Sequence, residues 1–490
     1  MAMNLGTTVD IPSRETRLGS IIGYAGTIGD IAKKIECGAL KNKNRCYREA
    51  TGCPNMCAVS LLCDVRDMAV IYHSPVGCMS GSAGTLWLVN KVAERRGLKN
   101  NARVLGTDLN EADTIFGAAG DLHEAILETY RRYKPAAIVI AASCVSGIIG
   151  EDLESVAAEA AGSVPVPVIP MHCEGFKSAI WASGFDAADH AVLTNLVKPP
   201  KVKRNVINFK NFRESARADI EDMFRQIGVD AVQFLYSTST VEELAHLSEA
   251  RATVCICSTL GTYLGNGLRE LYGVPYIQTL NPVGIIGFEE WLRTIGRAIG
   301  EEERVEAYIA RERAEWMPKI EEEKKDLKGL HVVLGMGASF AFQVARVVQE
   351  LDMVVDFTLA WHMDPQYDNG EKTSHAQYMA GMSDYDFEVS VSDQQSYEIY
   401  NVLTRYKPDL YLGRHPGGAI LAIKLGVPAL FMVEEYTTFG YKRYLQFIKV
   451  LKNLLSNHGF EDKLAARVKM PYSDWWHKQH YAAMLEEVSV

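Results

Sequence analysis

Cysteine is the residue of this chain whose placement could do chemistry. Four of its ten cysteines, Cys53, Cys57, Cys63 and Cys78, fall within 26 residues, and His73-Ser-Pro-Val-Gly leads directly into Cys78. Cys78 follows the apolar run Met68–Tyr72, and Cys144 closes a second run that starts at Ala136. Cys173, in Met-His-Cys-Glu-Gly-Phe176, follows a third run from Val166, and Cys257 closes a fourth from Ala252. Short apolar runs bounded by turn residues read as strands buried on both faces. The thiols are therefore expected beyond strand ends, where α/β domains hold their ligands. Glycine in these turns lets a bulky inorganic ligand approach the backbone, so the chemistry expected is metal ligation.

The rest of the composition narrows the setting. At 490 residues the chain is too long for a single core, and about three domains are expected. A net charge of −10 without a basic run argues against nucleic-acid binding. No apolar stretch approaches the ~18–20 residues that span a membrane. The start, Met-Ala-Met-Asn-Leu-Gly, lacks the pattern of a secretory signal. A cytoplasmic protein is expected, in which cysteines are ligands, redox groups or buried thiols rather than disulfides.

The positioning elements alternate between strand and helix patterns, the mark of βαβ units. Residues 1–45 read as a polar lead segment with a short helix from Gly26, ahead of Cys37 and Cys46. Domain I is expected over 46–204, up to the linker Pro199-Pro-Lys-Val-Lys-Arg204. Domain II is expected over 205–328, ending in one long helical stretch, Phe288–Lys328. Domain III, from Leu330-His-Val-Val-Leu-Gly-Met-Gly337, is expected over 329–490 with C-terminal helices. The fold class is thus α/β, three tandem Rossmann-like domains with parallel sheets flanked by helices. Gly335-Met-Gly337 is a poor dinucleotide loop, because Phe340 replaces the third glycine. His362 and His415 fall in strand-end loops and read as local hydrogen-bonding histidines ahead of metal ligands. There is no Cys-x-x-Cys, His-Glu-x-x-His, Walker loop or nucleophile elbow.

His73-Ser-Pro-Val-Gly-Cys78, Cys144 with Gly147-Ile-Ile-Gly-Glu-Asp, and Cys173-Glu-Gly-Phe176 together resemble the α-subunit of nitrogenase component 1. The likeness continues through Cys257, Tyr272-Gly-Val-Pro275 and Gly426-Val-Pro428, and covers the chain from about residue 45. It implies that Cys53, Cys78 and Cys144 hold an 8Fe-7S P-cluster shared with a homologous β-subunit, with Cys57 as the rival to Cys53. It implies that Cys257 binds an iron–sulfur–carbide cofactor, since thiolates are soft anionic donors to iron. The implied assembly is an α2β2 heterotetramer fed by an ATP-dependent 4Fe-4S reductase homodimer.

Departures from the family pattern bear on the substrate. Trp181 and Phe185 stand where dinitrogen-reducing relatives carry Gln and His, Leu86 and Phe340 where they carry Arg, and Val433 where they carry the molybdenum-ligating His. The homocitrate-contacting Lys falls in Pro416-Gly-Gly, which offers no cation. Each lost charge-assisted bond is worth roughly 1.5–3 kcal/mol, so an iron-only cofactor without molybdenum or homocitrate is expected. Trp181, Phe185 and Phe340 are expected to line a dry pocket for an apolar substrate. Within the family the chain is most similar to a nitrogenase-like methylthio-alkane reductase, which implies C–S cleavage to methanethiol and hydrocarbon. His415 is the first candidate for a second cofactor ligand, ahead of Glu434 and Glu435.

Three rival readings are a dinitrogen-reducing α-subunit, a cofactor-maturation scaffold and a tetrapyrrole reductase. The last needs no thiolate at Cys257. A periplasmic-binding-type module is disfavoured by the cysteines at strand ends. Cys173 and Cys255 are expected to be packed thiols.

Overall fold

The computed structural model describes residues 10–46, 49, 52–81, 83–210, 216–393, 395–432 and 437–485. In chain order the strands are β1 (Gly23–Thr27), β2 (Met68–His73), β3 (Arg103–Gly106), β4 (Ala137–Ala142), β5 (Val168–Met171), β6 (Val206–Lys210) and β7 (Ala231–Leu235). They continue with β8 (Ala252–Cys255), β9 (His331–Met336), β10 (Val354–Ala360), β11 (Glu388–Ser392), β12 (Leu410–Gly413) and β13 (Ala429–Phe431).

These strands form three sheets, ordered β3-β2-β4-β5, β7-β6-β8 and β1-β11-β10-β9-β12-β13. Every pairing is parallel except β1 with β11. Helices between successive strands cover the sheets, as parallel pairing requires. β2 and β4 are buried along their whole length, which is why their sequences are apolar without alternation. One hydrophobic core runs from Ile21 through all three sheets to Leu451.

Two elements differ from the sequence expectation. The lead segment is more than a polar leader, because Gly23–Thr27 pairs with β11 and adds an edge strand to the third sheet. The stretch read as one helix over Phe288–Lys328 is two helices, Gly284–Ile299 and Glu302–Glu323. Gly300 separates them at φ 69°, a left-handed cap that glycine adopts without a Cβ penalty.

The sheets put their carboxyl ends to use. Beyond β2 and β4 the chain turns into the short helices Val76–Ser80 and Cys144–Ile149, and beyond β8 into the helix Ser258–Tyr272. The ends of the second and third sheets meet where Cys257 Sγ lies 3.3 Å from Ser339 Oγ, in the helix after β9.

Candidate functional site: two groups of buried and half-buried thiols

Helix starts position three of the four cysteines of interest. Cys53 caps the helix Pro54–Leu62, with proline in its first turn, and Cys257 caps Ser258–Tyr272. Cys144 opens its helix behind a Ser143 capping box, in which Ser143 Oγ accepts from the Ser146 amide at 3.2 Å. The positive end of a helix favours a thiolate.

Gly175 brings two of the thiols together. A Cβ on it would stand 2.8 Å from Cys53 Sγ and 3.3 Å from Cys144 Sγ, so both sulfurs border the same bare backbone. Cys78 is close enough that, after burial, repulsion from Cys53 and Cys144 raises its pKa. Cys78 is exposed and Cys53 and Cys144 are half-buried, so the trio shares an outward face. The same turns carry the exposed apolar side chains Met56, Val76, Ile148 and Phe176.

Among the described residues, no three His, Cys, Asp or Glu side chains close around a point as a single ion requires. Thiols that repel one another across a shared face, beside a glycine whose missing Cβ leaves room, instead fit a large polynuclear iron–sulfur group. Cys57 lies in the core, where burial pushes its thiol far up, and is not part of this face. Cys173 is also buried: it accepts from Asn55 Nδ2 at 3.4 Å and donates to the Ala142 carbonyl at 3.4 Å.

Cys257 is only 8 % exposed. Burial raises its pKa, opposed by the Ser339 hydroxyl and by the Arg414 guanidinium. Iron binding would replace that proton, and the thiolate would gain the helix N-terminus and Arg414 as stabilising neighbours. Arg414 also covers the Phe340 ring, its Cζ 4.5 Å from the centroid. Pro416-Gly-Gly itself carries no cation, and the charge near this corner comes from the residue before His415 and sits over Phe340. Cys255 is turned away, its Sγ 3.2 Å from Tyr276 Oη. A small cavity beside Cys257, with a largely apolar wall, is lined by Leu18, Ser258, Ser339, Phe342, Met363 and His375 among others.

Aromatic rings cluster around Trp181. The Trp181 ring meets Phe185 edge-on at 5.5 Å, Trp361 at 6.0 Å and His362 edge-on at 5.8 Å. Trp361 meets His415 edge-on at 6.2 Å. His415 caps the helix Pro416–Lys424, its Nδ1 accepting from the Gly417 amide at 3.2 Å. The cap holds the ring proton on Nε2, so metal ligation through Nε2 requires the cap to be given up.

His362 is 1 % exposed, yet neither ring nitrogen has a hydrogen-bond partner. Its Nε2 stands 3.4 Å from Asp364 Oδ2, at ion-pair distance without hydrogen-bond geometry. Its polar neighbour is thus Asp364, whose carboxyl, against burial, the imidazole helps to hold below the usual range. Sequence reasoning also passed over Trp361, although Trp361-His362-Met-Asp364 directly follows β10. Val433, Glu434 and Glu435 lie outside the described residues.

Residues 53–456 match the family model for nitrogenase component 1 type oxidoreductases. The chain belongs to that family. It is 29 % identical over 405 residues to the nitrogenase iron-molybdenum cofactor biosynthesis protein NifE of Methanococcus maripaludis, covering 80 % of each chain. It is 30 % identical over 300 residues to the nitrogenase molybdenum-iron protein alpha chain of Methanosarcina barkeri, covering 59 % of this chain and 56 % of that one. The fold superposes on the solved structure titled nitrogenase Cp1 at pH 5 with a TM-score of 0.69, at 20 % identity, over 89 % of this chain and 94 % of that one. No helix among the described residues is long and apolar enough to cross a membrane.

Proposed function

We propose that this chain is the catalytic α-type subunit of a nitrogenase-like reductase. In this reading Cys53, Cys78 and Cys144 hold a P-cluster-type group shared with a homologous subunit in an α2β2 assembly. The exposed apolar residues around that face suit burial against such a partner. Cys257 holds the iron–sulfur cofactor. When bound, these groups would supply low-potential electrons one at a time, delivered by an ATP-dependent 4Fe-4S reductase.

The observation that carries the reading is the depth of Cys257, 8 % exposed, against the outward face of the other three thiols. An electron-receiving group belongs near a docking surface and a reacting group belongs away from water. The chain's own part in the reaction is to bind and to exclude water: Trp181, Phe185 and Phe340 present rings beside the site. They suit a small apolar substrate, and we propose a methylthio-alkane. Two electrons and two protons then convert R–S–CH3 into R–H and CH3–SH. Arg414 holds positive charge near the Cys257 sulfur as it accepts electron density.

The similarity to NifE supports a second reading, a scaffold on which a cofactor is matured. Such a protein must release its cofactor to an acceptor, and the burial of Cys257 favours the reductase instead.

Metal analysis of the anaerobically purified complex, with an assay for methanethiol from ethyl methyl sulfide, separates these readings. Iron for two large clusters, no molybdenum or vanadium and reductase-dependent methanethiol is the expected result. Molybdenum with ammonia from dinitrogen overturns it, and iron transferred to an acceptor without turnover establishes the scaffold.

A further inference from the structure

Trp181 touches the backbone of one thiol group and the aromatic shell of the other. A Cβ on Gly52, the residue before Cys53, would stand 3.2 Å from Trp181 Cβ and 3.3 Å from its Cγ. The backbone entering Cys53 therefore lies against the indole with no side chain between them. On its far side the Trp181 ring packs on Trp361 at 6.0 Å, with the planes 59° apart. Trp361 Cε3 lies 3.7 Å from where a Cβ on Gly337 would be. Gly337 caps the helix that carries Ser339, and Ser339 Oγ is 3.3 Å from Cys257 Sγ. Successive neighbours thus lead from Cys53 to Cys257, with two indoles in the middle of the path and bare glycine backbone at Gly52 and Gly337 on either side.

A packing role alone leaves one feature of Trp181 unexplained. Its Nε1 is buried without a hydrogen-bond partner, although a buried tryptophan N–H usually finds one. The indole is oriented by its ring neighbours rather than by a polar anchor.

We infer that Trp181 and Trp361 are the bridge through which electrons pass between the two groups of thiols, an inference that rests on the function proposed above. Electron tunnelling weakens steeply across empty gaps and less across neighbouring π systems, so two tilted indoles 6.0 Å apart offer the better-coupled route. One electron leaves the iron group at Cys53, Cys78 and Cys144 and one arrives at the group on Cys257. No proton moves and no bond is made in the bridge, and neither indole is left oxidised. Trp361 acts here only as a bridge, whereas Trp181 is both bridge and wall of the proposed substrate site, so the test reads electron transfer without substrate.

The test follows a single electron in the intact complex with its reductase, by rapid-freeze electron paramagnetic resonance. Iron content and resting spectra are checked in each variant. Trp181→Leu is expected to slow transfer between the sites by about an order of magnitude while iron content and resting spectra stay as in the parent. Trp181→Phe, which keeps a ring, should recover much of the rate. Trp361→Leu interrupts the same path from the other side and provides a further variant if Trp181→Leu does not fold. Full iron with an unchanged rate in the leucine variants overturns the bridge alone. A parent complex without iron at Cys257 overturns the assignment of the site, and the bridge with it.

Discussion

The guanidinium of Arg14 is fully buried and forks onto both carboxylate oxygens of Asp186, at 2.6 and 2.7 Å. It also reaches Asp364 at 3.0 Å, while Arg17 joins Asp186 at 2.6 Å and Asp368 at 2.5 Å. Asp186 lies next to Phe185 in the helix Ser183–Asn195, and Asp364 follows His362 after β10. The lead segment is therefore tied by charge to the two segments that carry Phe185 and His362. Removing Arg14 leaves buried Asp186 with Arg17 as its one cation here and buried Asp364 with the Ser20 hydroxyl at 2.6 Å. Arg14→Met is expected to cost about 3–5 kcal/mol, the usual range for breaking a buried pair from one side. Arg14→Lys, which keeps charge but loses the fork, should cost less. Thermal melts of the two variants at neutral pH check the order, and equal stability of Arg14→Met and the parent would contradict it.

His375 gives the fold a dependence on acid. Its Nε2 lies 3.0 Å from Ser258 Oγ and 3.1 Å from Tyr367 Oη, and Nδ1 meets Gln343. Burial and then Arg346 push its pKa down to about 3. An unfolded histidine takes up its proton near pH ~6.5, whereas the folded one does not. This contribution to stability is thus complete above pH ~6.5 and declines as the pH falls, by at most about 1.4 kcal/mol per pH unit. Melting temperatures between pH 4 and 7 should fall less steeply in His375→Gln than in the parent.

His172 has the opposite sign. Hydrogen bonding to Glu174, opposed by burial and reinforced by Glu154, raises its pKa to about 9. Nε2 lies 2.6 Å from Glu154 Oε1 and Nδ1 lies 3.4 Å from Glu174 Oε1. The stabilisation is complete below pH ~6.5 and is lost as the pH rises through about 9. Discounted for partial solvent screening, it amounts to about 1–2 kcal/mol. Denaturant melts at pH 6 and pH 10 should show a gap that closes in His172→Gln.

How far the sequence reveals this architecture depends on the range of the interactions. β2 and β4 are legible because strands buried on both faces are continuously apolar, and each cysteine at their ends is a local signal. β1 is not, because Gly23–Thr27 becomes a strand only by pairing with Glu388–Ser392, more than three hundred residues away. Arg14 reads as one more polar residue of a leader, since its partners lie 172 and 350 positions along the chain. Arg414 was visible in Gly-Arg-His-Pro-Gly-Gly, but its position over Phe340 depends on how two strand ends meet. Trp181 and Phe185 were singled out from the resemblance, whereas the approach of Trp181 to Gly52 exists only in the fold.

Gly175 offers the sharpest test of the thiol face, because a single methyl group separates packing from ligation. An added Cβ would press on Cys53 Sγ at 2.8 Å and on Cys144 Sγ at 3.3 Å. A sulfur can swing away from the methyl by rotation about χ1, an adjustment that costs roughly 1 kcal/mol. Gly175→Ala should therefore melt close to the parent. The displaced sulfur would no longer point where a shared cluster needs it, and Cys78 alone cannot restore the set. Iron bound per chain after anaerobic purification is expected to drop to the share held at Cys257, with the signals of that site retained. Cys257→Ala should show the reciprocal loss. Full iron at both sites in Gly175→Ala would mean that Cys53 and Cys144 are packed thiols and that the cluster, if present, is held elsewhere.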